Sequence, residues 1–175
     1  PFDSSVTVPS CADAKAAPFF EIVTVIVAPV LPVMPSAESA RNTTTLMAAV
    51  GLEGVTAAMA FPGATDGAAF RAFCQQVLAP QLKRGDVVVL DNLASHKDQQ
   101  ALEALRLAGA EVWPLPPYSP DLNPIENLFA KIKESLRQAE ARTDRMLIKA
   151  IAAALDAVTP TDCLNTFRHC GYRTK

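Results

Sequence analysis

Leu115-Pro-Pro-Tyr-Ser-Pro-Asp-Leu-Asn-Pro-Ile-Glu-Asn-Leu-Phe129 changes conformation partway along. Pro116, Pro117, Pro120 and Pro124 each fix φ and remove a backbone donor, so the stretch up to residue 123 is neither regular helix nor central strand. Asn123-Pro124 reads as an N-cap followed by proline at the first helical position. Ile125, Leu128, Phe129 and Ile132 then recur at helical spacing, which predicts a helix from Pro124 to about Ala139. Glu126 falls in the first turn of that helix, beside a rigid loop. From the residues alone two readings stay open: a carboxylate that complements the helix dipole, or one that does chemistry.

Upstream, Asp86-Val-Val-Val-Leu-Asp-Asn92 is a short β-branched run closed by Asp91. Open α/β sheets place ligands at the C-terminal ends of such strands. Between Asp91 and Glu126 lie 34 residues. They have room for a helix (Asp98 to Ala108, stopped at Gly109), a short strand (Glu111 to Leu115) and the proline-rich loop, which is enough to bring Glu126 back beside Asp91. Clustered carboxylates without cysteine or histidine ligands suit Mg²⁺ or Mn²⁺ rather than zinc.

Asp91-Asn-Leu-Ala-Ser-His-Lys97, the 34-residue interval and Pro-Pro-Tyr-Ser-Pro-Asp-Leu-Asn-Pro-Ile-Glu126 together resemble the DDE transposases of bacterial insertion sequences, in the branch related to mariner elements. The resemblance runs from about Thr43 to Tyr172. It implies an α/β, ribonuclease-H-like mixed sheet flanked by helices, and a catalytic triad of two aspartates and a glutamate. Asp91 then matches the second member and Glu126 the third, both as catalytic residues and as metal ligands. Two Mg²⁺ (or Mn²⁺) ions are implied, with Asp91 bridging them and Glu126 holding one. The implied reaction is DNA strand cleavage at the element's ends and transfer of the freed 3′-hydroxyl to target DNA. The implied partners are transposon-end and target DNA and a second copy in a homodimer, and the implied location is the bacterial cytoplasm and nucleoid, with no membrane.

Residues 1–40 differ in composition from the rest, with Lys15 as their one lysine and no arginine before Arg41. Phe19 to Met34 is apolar, but Glu21 and Pro29, Pro32 and Pro35 interrupt or flank it, which argues against a membrane helix. No basic stretch precedes it, which argues against a signal peptide. Within it, Ile22 to Ala28 has strand character. The resemblance places the first catalytic aspartate in this region, in an Asp-Glu-Thr/Ser motif followed by an Arg/Gly-rich segment. Neither feature is present, and Asp3 is the nearest candidate. We therefore expect a division into an atypical segment, 1–40, possessing a shifted reading frame or a degraded start, and a catalytic domain, 41–175. No helix-turn-helix is visible. A catalytically inactive remnant that binds DNA or an intact transposase is the competing expectation.

Thr43 to Val50 and Val55 to Phe61, joined by Gly51-Leu-Glu-Gly54, predict an antiparallel hairpin. Asp66 is placed to cap a helix over Ala68 to Leu78, with Phe70, Phe73, Val77 and Leu78 facing the core and Cys74 packed. Asn92 to Lys97 reads as a polar loop. His96 in it is either a structural hydrogen-bonder or a group that orients a phosphate or water. Lys97, Lys131, Lys133 and Arg137 are the candidate DNA-binding residues; with Arg142, Arg145 and Lys149 they track phosphates or are solvated helix charges. Thr143 is a candidate cap for a helix from Asp144 to Val158, broken by Pro160 ahead of a short terminal helix.

At 175 residues and half apolar composition, the chain is long enough for one domain with a substantial core. Its net charge of −2 gives no global signature of a nucleic-acid binder, so any basic groove must be local. The four cysteines show no Cys-x-x-Cys spacing, which points away from zinc and a disulfide framework and towards a reducing compartment.

Overall fold

The structure is a computed structural model. It describes residues 22–30 and 44–172, with the side chains of 22 and 26–30 excepted. Asp3 and the prolines at 32 and 35 lie outside the described residues.

Five strands form one sheet: β1 (Ile22–Val30), β2 (Thr44–Gly51), β3 (Gly54–Pro62), β4 (Val87–Leu90) and β5 (Glu111–Pro114), in the order β3-β2-β1-β4-β5. The predicted hairpin is β2–β3, antiparallel from Thr44–Pro62 to Gly51–Gly54. β1 runs antiparallel to β2 and parallel to β4, with Thr24 level with Val89 and Val25 level with Leu90. β5 continues parallel to β4. This mixed order is that of a ribonuclease-H-like sheet. The strand at 22–30 is longer than its sequence reading and carries Pro29 within it.

Alternation divides the sheet into two buried faces. Val23, Val25, Met47, Ala49, Val88 and Leu90 pack against Phe70, Phe73, Cys74, Leu78, Ala101 and Leu105. Those partners come from α1 (Gly67–Ala72), its continuation Phe73–Leu78, and α2 (Gln99–Leu107). On the other face, Leu46, Ala48 and Val50 lie under α3 (Pro124–Gln138) and α4 (Asp144–Asp156). Val87 and Val89 lie on that same side, against Phe167 of α5 (Pro160–His169) and Tyr172.

The helix expected over Ala68 to Leu78 is α-helical only to Ala72, and Phe73–Leu78 is π-wound. Pro80 lacks the N–H that would continue an α-register to Gln76, and the Ala79 N–H reaches back five residues to Cys74 instead. Pro160 is the first residue of α5 rather than a breaker ahead of it, with Thr159 and Asp162 forming a capping box. Asp66 and Thr143 cap α1 and α4 as expected. Cys74 and Cys163 are free thiols, and both are buried, as is Cys170. Burial raises the Cys74 thiol to about 12 and the Cys163 thiol to about 11, so both stay protonated and pack as apolar groups.

Candidate active site

Asp91 follows the last residue of β4, and the odd-numbered alternation Val87, Val89, Asp91 sends it to the α3 side of the sheet. The Leu115 N–H donates to the Leu90 carbonyl at 2.7 Å, so β5 stays beside β4 up to the point where the proline-rich loop departs. That loop crosses the strand ends and turns into α3. Tyr172 secures it from behind by donating its hydroxyl to the Leu122 carbonyl at 2.8 Å. α3 is docked through Ile125, Leu128, Phe129 and Ile132, each no more than 1% exposed, which leaves the intervening Glu126 facing out of the core.

Asp91 and Glu126 thus share one cleft of about 350 Å³, lined also by Asn92, Leu93, Pro116, Tyr118 and Asn123. Burial raises the Glu126 carboxyl above the ordinary glutamate range; the Asp91 charge raises it further, and Lys133 opposes the shift. Glu126 is well exposed at its surface and also partly desolvated. The two agree physically, because an open cleft wets the carboxylate tip while its walls exclude bulk water from the sides.

Asp91 is the more firmly held of the two. Its Oδ1 accepts from the Leu93 N–H at 3.1 Å and lies 2.5 Å from His96 Nδ1. Neither ring nitrogen meets hydrogen-bond geometry with a partner among the described residues. The two side chains nevertheless stand in direct polar contact, with the imidazole packed behind the carboxylate. His96 stands on a 3₁₀ turn, Ala94–Lys97, where the sequence reading expected an irregular polar loop, and its side chain is 1% exposed. A residue so covered does not reach a phosphate in the cleft.

Asn123 occupies the N-cap position of α3, but its side chain makes no capping bond and its buried Oδ1 has no partner among the described residues. The cap is positional rather than chemical, and Pro124 removes one of the donors it would otherwise serve. Tyr118 is fully exposed at the cleft mouth, with φ of 58°. A non-glycine residue in this left-handed conformation is strained.

The basic candidates separate. Lys131 is bound to Asp162 at 2.6 Å, and Arg137 to Glu134. Lys133 is exposed and acts electrostatically on Glu126. Lys97 is exposed and lines a second cleft of about 600 Å³ with Thr65, Asp66, Ser95 and Asp98, which shares Leu93 with the first. Sequence reasoning missed that second cleft, as well as the Asp91–His96 contact, for which the spacing of five residues was the only signal.

The donor set fits one hard divalent cation: two carboxylates at an open cleft with room for waters and a phosphate. The described residues contain no group of three or more His, Cys, Asp or Glu that could hold a metal. On β1 the side chain facing α3 level with Val89 is Thr24, buried and with no hydrogen-bond partner for its hydroxyl among the described residues.

No curated protein sequence matches the chain. Among solved structures, the Mos1 transposase paired-end complex with left transposon end superposes with a TM-score of 0.75 at 21% identity, over 92% of this chain and 55% of that one. The Mos1 mariner paired-end complex with Mn gives 0.71 at 20% identity, over 92% and 56%. The isolated catalytic domain of Mos1 mariner transposase gives 0.66 at 21% identity, over 94% and 90%. The chain therefore spans a little over half of the longer Mos1 chains and nearly all of the isolated domain, and the likeness establishes the ribonuclease-H-like fold. The sequence profile of the DDE superfamily endonucleases matches residues 32–148, from inside the compositionally atypical start to within α4. With the sheet order, the Asp91–Glu126 cleft and that profile in agreement, the chain belongs to the DDE superfamily endonuclease family.

Proposed function

We propose that the chain is the catalytic domain of a DNA transposase, and that it cleaves DNA strands at the ends of an insertion sequence and transfers them to target DNA with the help of a divalent cation. The observation that carries this reading is the convergence of Asp91 and Glu126 on one open cleft at the C-terminal end of β4. The Mos1 structures, in complexes with transposon-end DNA and with Mn, support the partner and the metal.

Asp91 and Glu126 would hold Mg²⁺ or Mn²⁺, which supplies neutralisation of the charge that builds on the phosphate oxygens. The protein's own contributions follow from its geometry. The proline-rich loop and α3 fix Glu126 against a rigid wall, so little reorganisation is needed when a phosphate arrives. Positive charge entering the cleft would oppose the burial and the Asp91 charge that raise the Glu126 carboxyl, and so favour its ionised form. Lys133 beside Glu126, and Lys97 in the adjoining cleft, are the candidates for phosphate contacts along a DNA strand leaving the site. Lys131 and Arg137, engaged with Asp162 and Glu134, contribute less. A second ion needs a third carboxylate, which the family pattern puts on the first strand and which residues outside the described ones, Asp3 among them, would have to supply. A homodimer and a cytoplasmic, nucleoid-associated location belong to the same proposal; no described helix is long and apolar enough to cross a membrane.

The second reading is a domain that binds metal and DNA without cutting. Val23, Thr24 and Val25, the described side chains of β1, favour it because none is a carboxylate. One experiment separates the two. Supercoiled plasmid is incubated with the chain and Mg²⁺ or Mn²⁺, with Mn²⁺ uptake followed by electron paramagnetic resonance. Nicking that falls at least 100-fold in both Asp91→Ala and Glu126→Ala, with circular dichroism unchanged, supports the enzyme. Mn²⁺ uptake that depends on both residues, with no nicking, supports the inert domain. Nicking unaltered in both variants refutes the site.

A further inference from the structure

We propose that His96 is a positioning residue for Asp91: it holds one carboxylate oxygen so that the other is presented to the cleft. The inference rests on the reading of Asp91 as a metal ligand and assigns His96 a part that the reading does not require.

An aspartate side chain on a strand end samples several rotamers, and each must be abandoned when a cation binds. Here Oδ1 is fixed from two directions, by the Leu93 N–H at 3.1 Å and by His96 Nδ1 at 2.5 Å. Oδ2 has no hydrogen-bond donor among the described residues and remains for a cation. The imidazole is itself immobilised. Its centroid lies 4.4 Å from that of Phe70, which is fully buried against Val25, Leu90 and Leu105. Phe70 sits on α1, and the next residue, Arg71, forms a two-point hydrogen-bonded ion pair with Asp98 at 3.0 and 2.6 Å. Asp98 also caps α2 through the Ala101 N–H, one residue beyond the turn that carries His96. The covered face of the sheet thus grips the imidazole, and the imidazole grips the ligand. Partners behind a metal ligand commonly change metal affinity by 10–100-fold when removed. With its side chain 1% exposed, His96 acts from behind Asp91 and not on DNA.

The test is a titration of the whole chain with Mn²⁺ alone, read by electron paramagnetic resonance, in wild type, Asp91→Ala, His96→Leu, His96→Asn and His96→Gln. Thermal melts run in parallel. The Asn amide can stand where Nδ1 stands, whereas the Gln amide reaches the place of Nε2. The expected result is Mn²⁺ affinity about 10–100-fold weaker in the Leu variant, close to wild type in the Asn variant, and poorly restored in the Gln variant, with melting temperatures that do not follow this order. If the Leu variant fails to fold, the Asn–Gln contrast decides by itself. Wild-type affinity in the Leu variant, or equal loss in Asn and Gln, overturns the proposal. Binding that survives Asp91→Ala, or a wild type that takes up no Mn²⁺, defeats the metal-site reading and the proposal with it. In that case failure shows in the proteins with His96 intact, and so is distinguishable from a failure of His96 alone.

Discussion

Glu126 shows how a single carboxylate can be costly to the fold it sits in. Its pKa is raised by burial first and by Asp91 second, so the folded state binds its proton more tightly than the unfolded chain does. The sign follows: stability falls as pH rises from the ordinary glutamate value, about 4.3, through the raised folded value, and at neutral pH Glu126 is a net burden. Glu126→Gln is therefore expected to melt at a higher temperature than wild type at pH 7, with the gap closing below about pH 4. Melts at several pH values check this, and an unchanged or lowered melting temperature at pH 7 would contradict it. The exposed tip of the side chain keeps the gain small. Sequence alone placed Asp91 and Glu126 together because the elements between them were legible from their punctuation. It left His96 with two roles, since burial is a property of the folded surroundings. It also could not separate Lys131 from Lys133: only the fold shows that Asp162, 31 residues away, claims the first.

At the scale of elements, α3 carries both the site and the largest part of one core face. Ile125, Leu128, Phe129, Ile132 and Leu136 are all buried against β2 and α4. Phe129→Ala should cost about 3–5 kcal/mol, measured by urea unfolding. Near the transition it should weaken Mn²⁺ binding as well, since the first turn of the helix cannot hold Glu126 in place while its second turn is loose. Helical spacing made this element readable down to its first residue. Its partner across the sheet was less so: Pro80 altered the winding of Phe73–Leu78 without altering which residues face inward, and periodicity reports only the latter. The Asn123 cap was misjudged for a related reason. Asn-Pro marks where a helix begins, whereas the direction of the amide depends on the loop packed around it.

For the molecule as a whole, the bond between α3 and α5 contributes to the response to acid. Asp162 accepts from Lys131 and from the Thr159 hydroxyl and N–H, and this holds its carboxyl down to about 2. A depressed acid stabilises the fold fully above the unfolded value, about 3.9, and loses that contribution as pH falls towards 2. Lys131→Met should flatten this limb of the acid-unfolding curve by lowering stability at pH 7 slightly while leaving stability near pH 2 unchanged, a small effect for a partly exposed pair. A steeper acid limb in the variant would count against the assignment. Fold class was available from the sequence through the resemblance carried by the Asp91 and Glu126 motifs, and the hairpin, strand and helix signals beyond residue 43 agreed with it; the order of the strands was not. The middle strand was available only as an apolar run, with nothing to say that it would enter the sheet between β2 and β4.

That strand has a historical consequence. The place it fills asks for β-branched residues, and Val23, Thr24 and Val25 meet the request with almost complete burial. Nothing in the packing asks for an acid there, and the acid at Glu126 is a burden to folding. Selection for a folded chain alone would keep such a sheet and let its carboxylates drift. In a lineage released from transposition, architecture would outlive chemistry, and the age of a silent copy would be written in its charged residues before its core.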